Sequence, residues 1–138
     1  MTSTQRLPKT TVTLRIFAPE LDPEEVTRNL DLEPNHKHKL GDPIPKRSGS
    51  VNVYKHGMWT VDSKLPETEV LVSHLDSLLS DIEPKQEYIK TLASYATVDL
   101  YCVLYDQSGF ELPPDILHRI ADLGITFGVV LYANNPSD

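Results

Sequence analysis

His36, Lys37, His38 and Lys39 stand side by side in the sequence, and Asp42, Lys46, Arg47, Lys55 and His56 follow before Gly57. Imidazoles exchange protons near neutral pH, ammonium and guanidinium groups hold carboxylates and oxyanions, and histidine with aspartate can ligate zinc. From His36 to His56, five cations (Lys37, Lys39, Lys46, Arg47, Lys55) oppose Asp42 alone, a formal balance of +4 in a chain of −7, leaving −11 for the rest. Clustered cations raise the local concentration of anions. The segment therefore reads as a contact for a small anion or an acidic protein surface, with Lys39, Lys46, Arg47 and His56 as ligands. Lys46 and Arg47 follow Pro43-Ile44-Pro45, whose restricted backbone lowers the entropy lost when the loop is fixed on a partner. Trp59 is a candidate aromatic anchor beside the loop, although a lone tryptophan in a strand more often belongs to the core or lies over it as a lid.

Other chemistries have less behind them. His36 and His38 are the metal candidates, with His56 or Asp42 as further ligands, but Lys37 and Lys39 raise the cost of a divalent cation and the spacing matches no zinc motif. No metal or cofactor is expected. An enzyme would use His36, His38 or His56 with Asp42 or Asp62 in acid–base or metal chemistry, and the order of Asp62, Ser63 and the histidines spells no triad before the fold is known. Cys102 alternates with Leu100 and Leu104, which predicts a buried, unreactive thiol. His74 falls on the apolar stripe of a helix and reads as a hydrogen-bonded core residue. Asp22, Glu24 and Glu25 cap a helix. The basic window lacks the interleaved aromatics of a single-strand nucleic-acid platform, so nucleic acid is not the expected partner.

These residues need a scaffold. The chain has 138 residues, 39% hydrophobic and 24% charged, the profile of one ordinary folded domain, expected over 11–133 between flexible tails at 1–10 and 134–138. One cysteine excludes an internal disulfide framework. No run approaches the length of a membrane helix and the first residues lack a secretory core, so a cytoplasmic location without membrane contact is expected.

Val12, Leu14 and Ile16 alternate with polar or amphipathic neighbours and predict a strand. Asp22-Pro23-Glu24-Glu25 predicts a helix over about 23–31. The proline- and glycine-broken stretch 35–50 reads as a loop, and 51–54 with 58–63 as a hairpin. Val70, Leu71, His74, Leu75, Leu78, Leu79 and Ile82 mark an amphipathic helix that Pro84 breaks before a second helical segment. A largely apolar strand over 98–104 follows, then a helix opened by Pro113-Pro114-Asp115 and closed near Gly124, then a strand over 125–133. The fold class is α+β, a mostly antiparallel sheet backed by helices, with a ferredoxin-like core plus an added helix and strand. A doubly wound parallel sheet is the rival, and it lacks a glycine-rich phosphate turn after the first strand.

The order of Leu14-Arg15-Ile16-Phe17, Leu21-Asp22-Pro23-Glu24-Glu25-Val26, Leu32-Glu33-Pro34, Lys39-Leu40-Gly41-Asp42-Pro43, Gly57-Met58-Trp59 and Val98-Asp99-Leu100-Tyr101 resembles the bacterial domain of unknown function family numbered four-two-seven-nine. The resemblance covers about residues 11–133 and implies a small cytosolic α+β protein, with no catalytic residues to transfer. The sequence thus points to a non-catalytic interaction or regulatory module for an acidic partner or small anion. The alternatives are a small enzyme and a structural subunit that forms a homodimer through its last strand, 125–132, or Trp59.

Overall fold

The structure, a computed structural model, describes residues 7–45 and 52–132. Its first strand, β1 (Lys9–Ala18), buries Val12, Leu14 and Ile16 on one face and leaves Thr13, Arg15 and Phe17 half-buried on the other. The next element, α1 (Pro23–Leu30), starts where Asp22 accepts the Glu24 amide at 3.1 Å with Pro23 in the first turn. It ends at Asp31 in the left-handed region, φ 56°. Strands β2 (His36–His38) and β3 (Gly57–Asp62) come next, then α2 (Leu71–Ile82), a 3₁₀ turn at Glu83–Lys85 containing Pro84, and α3 (Gln86–Ala93). Strand β4 (Thr97–Tyr105), α4 (Pro114–Leu123) and β5 (Thr126–Tyr132) complete the chain, with Gly124 at φ 71° closing α4 as a left-handed cap.

The five strands form one sheet in the order β2-β3-β1-β4-β5, antiparallel except for the β4–β5 pair, which α4 connects as a crossover. The α+β class with a mostly antiparallel sheet is as expected. All four helices pack on one face, where Leu14, Ile16, Trp59, Leu75, Leu79, Ile89, Leu92 and Leu100 are fully buried. Leu21 crosses so close to Gly57 that a Cβ there would meet its carbonyl oxygen at 2.6 Å, so only glycine fits at this end of β3. No helix of the described residues is long and apolar enough to cross a membrane.

The second strand is not where periodicity put it. The partner of β3 is His36–His38, inside the expected loop, and not 51–54. Val53 instead bridges back to Pro43, held by Gly41 N–H to Tyr54 O, Tyr54 N–H to Asp42 O and Ile44 N–H to Asn52 O, each at 2.9 Å. Ile44, between Pro43 and Pro45, has the one amide donor of that tripeptide, and this pairing uses it. The result is a short ribbon, 41–44 against 52–54, projecting from the β2 edge. A His-Lys-His strand carries no hydrophobic alternation, so its place is set by the free backbone groups of β3.

Candidate functional site

Within β2 the two-residue period sends His36 and His38 to the face opposite the helices and Lys37 to the helix side. There the Lys37 ammonium meets Glu24 in the first turn of α1, 2.6 Å from its carboxylate oxygen. The register lines up His36 with Thr60 and His38 with Met58 across the sheet. His36 Nε2 and His38 Nδ1 share a hydrogen bond of 2.8 Å.

The ribbon returns over this strand and closes the cluster. Tyr54 lies flat on His38, ring centroids 3.4 Å apart at 9°. His56 stands edge-on to His38 at 5.5 Å and packs against Phe17 at 5.9 Å, and His36 reaches Tyr54 at 6.4 Å. His38 is only 6% exposed, and its Nε2 has no hydrogen-bond partner among the described residues. In either tautomer that atom is a polar group whose burial costs free energy. Burial pushes the His38 pKa below its ordinary 6.5, and the neighbouring His36 and His56 push it the same way, against a smaller pull from Asp42. His38 is thus held neutral, with one N–H and one lone pair.

Beside the cluster on the same face, Arg15 grips Asp99 with two hydrogen bonds, 2.9 Å from Nε and 2.7 Å from Nη2, and its guanidinium lies 4.2 Å from the Tyr101 ring centroid. Its charge is already neutralised, and the Asp99 hydrogen bonds raise its pKa. Arg15 therefore acts as a wall of the site and not as an open cation.

The structure sorts the residues singled out from the sequence. His36, His38 and His56 come together with Tyr54, and His38 is the ring that touches the other three. Lys39 does not join them: it lines a shallow cleft of about 280 Å³ with Glu20, Leu21, Asp22 and Leu40 near the start of α1. Its amide donates to Asp42 at 2.7 Å. Lys46 and Arg47 lie outside the described residues. Trp59 takes the core reading in place of the surface anchor: it is 0% exposed, packed under α1, and its indole N–H donates to the Thr27 hydroxyl at 3.0 Å. The same parity as buried Val61 was the available signal for this placement. Asp62 is also apart from the imidazoles, accepting from the Thr13 hydroxyl at 2.8 Å. Among the described residues no three His, Cys, Asp or Glu side chains converge as a metal-binding group. His36 and His38 use facing nitrogens on each other.

Two buried groups fall in the core as expected. Cys102 is 0% exposed, and burial pushes its thiol up to about 12. His74, 1% exposed on α2, is hydrogen-bonded to Ser63.

A family model described as a domain of unknown function, DUF4279, matches residues 8–134. No curated protein and no solved structure matches the chain.

Proposed function

The chain belongs to the DUF4279 family, and we propose that in it this domain is a recognition module that binds an anionic group, from a small oxyanion or an acidic protein surface, at the imidazole cluster on the β2 edge. The observation that carries the reading is the gathering of His36, Tyr54 and His56 around His38, whose buried Nε2 has no partner among the described residues. Imidazole N–H groups donate to anions, and the donation strengthens when a ring is protonated. Lys55 adjoins His56 in sequence and adds positive charge at the rim. Lys46 and Arg47 enter on charge alone, as residues that follow Pro45 in the sequence. Lys39 contributes at longer range, from the α1 side.

Binding and not turnover is the better reading of this cluster. Its polar atoms are ring nitrogens and a phenol, and the carboxylate that acts on His38, Asp42, already accepts the Lys39 amide on one oxygen. A second reading, a homodimer through the free edge of β5, is favoured by Leu131 and Tyr132, which are 44% and 53% exposed on that strand. Trp59 has no part in it.

The test is calorimetric titration with inorganic phosphate at low ionic strength. The double variant His36→Ala/His56→Ala should bind about tenfold more weakly, the loss expected for charge-assisted hydrogen bonds. Equal affinity in the variant and the parent would remove the cluster from the proposal.

A further inference from the structure

At the other end of β1, on the helix side of the sheet, the segment that leaves β3 folds over the start of α2 and sets Ser63 against His74. Ser63 Oγ and His74 Nδ1 lie 2.6 Å apart. His74 is 1% exposed, and its Nε2 makes no full hydrogen bond within the described residues. The backbone carbonyls of Glu69 and Pro66 favour the ring's protonated form, but burial outweighs them and lowers its pKa. The ring is therefore neutral at pH 7, with a lone pair able to take the serine proton.

Two further features set this pair apart from a buried histidine that has simply found a hydroxyl. Ser63 is half-buried and opens on a cleft of about 380 Å³ whose walls include Thr11, Thr13, Leu65 and Glu67. That volume lies in the range of small-molecule sites. In addition, the Leu65 amide donates to Ser63 Oγ at 3.3 Å, which fills an acceptor position on that oxygen and leaves the hydroxyl proton for His74 Nδ1.

We propose that Ser63 is a nucleophile, with His74 as its general base, for transfer of an acyl group from a small neutral or cationic ester to water. Ser63 Oγ bonds to the ester carbonyl carbon while its proton passes to His74 Nδ1. The bond from that carbon to the alkoxy oxygen breaks, and the alcohol leaves with the proton from Nδ1. Water then attacks the acyl-serine, giving a proton to Nδ1 that returns to Ser63 Oγ as the carboxylic acid departs. Asp62 and Glu67 line the cleft and repel substrates that carry a carboxylate. The site shares no residue with the imidazole cluster, so either proposal can fail without the other.

The experiment uses the full chain, a fluorophosphonate probe and 4-nitrophenyl acetate. Mass spectrometry should find phosphonylation of Ser63 with loss of fluoride, absent in Ser63→Ala and slowed about 100-fold or more in His74→Gln. Because His74 is buried, the fold of His74→Gln is checked by circular dichroism. The parent's labelling rate gives an independent readout, rising with pH as His74 loses its proton and then levelling. Release of nitrophenolate should exceed that of Ser63→Ala, and the anionic ester 4-acetoxybenzoate should react more slowly. Labelling of Ser63 no faster than in the urea-unfolded chain, or ester turnover equal in parent and Ser63→Ala, would overturn the proposal.

Discussion

The ring of His38 lies face to face with that of Tyr54, 3.4 Å between centroids and 9° from parallel. This contact ties β2, an edge strand of three residues, to the ribbon of 41–44 and 52–54. It is therefore a structural link as well as a wall of the candidate site. Tyr54→Ala should cost about 1–2 kcal/mol of stability, from lost stacking and lost apolar burial. Tyr54→Phe keeps the ring and should stay within about 0.5 kcal/mol of the parent. Urea unfolding of the two variants measures both, and equal losses would show that the stack does not hold the ribbon.

Stability should fall on acidification below neutrality. His38 and His74 both have pKa values lowered in the fold, chiefly by burial, whereas in the unfolded chain a histidine ionises at about 6.5. Below that pH the unfolded chain binds more protons than the folded one, so the unfolding free energy drops as pH falls, until the folded-state pKa values are passed. Urea midpoints across pH 7.5 to 5 read the slope, and His74→Gln should flatten it. A midpoint that rises on acidification over this range would contradict the neutral, buried state of both rings.

How much of this was legible depends on where each element's stability comes from. The start of α1 is written locally, in Asp22-Pro23-Glu24-Glu25, and the helix begins there. β1 and β4 announce themselves because one or both faces are apolar, and the α2 stripe because Leu71, Leu75, Leu78 and Ile82 repeat on one side. β2 could not be read this way. His36-Lys37-His38 has no apolar residue, and its pairing is fixed by the backbone of β3, far along the chain. The equal parity of His36 and His38 placed them on one face of any strand. Their meeting with Tyr54 and His56 required the Pro43–Val53 bridge, a tertiary feature.

Trp59 should behave as a core residue. Trp59→Phe loses the hydrogen bond to Thr27 and part of a fully buried side chain, which should cost about 1–3 kcal/mol. Phosphate affinity of the folded variant should match the parent's. Native fluorescence should be blue-shifted and unresponsive to added phosphate. A ligand-dependent change in Trp59 emission would return this residue to the binding surface.

Cys102 should resist modification. Its side chain is fully buried and its thiol is pushed up to about 12, first by burial and then by the charge of Asp99. Labelling by a disulfide-exchange reagent at pH 8 should be at least about a hundredfold slower in the native protein than in urea, since the reacting species is the thiolate. Comparable native and denatured rates would place the thiol at the surface.

The central claim is that an anion is held by the rings of His36, His38 and His56, and residue-resolved nuclear magnetic resonance of the imidazole nitrogens tests it most directly. Added inorganic phosphate at low salt should shift the ring signals of these three residues together along one saturable curve, leave His118 on the exposed face of α4 in place, and lose its effect as ionic strength rises. Shifts confined to His118, or a cluster whose ring signals do not move while phosphate binds elsewhere, would contradict the account.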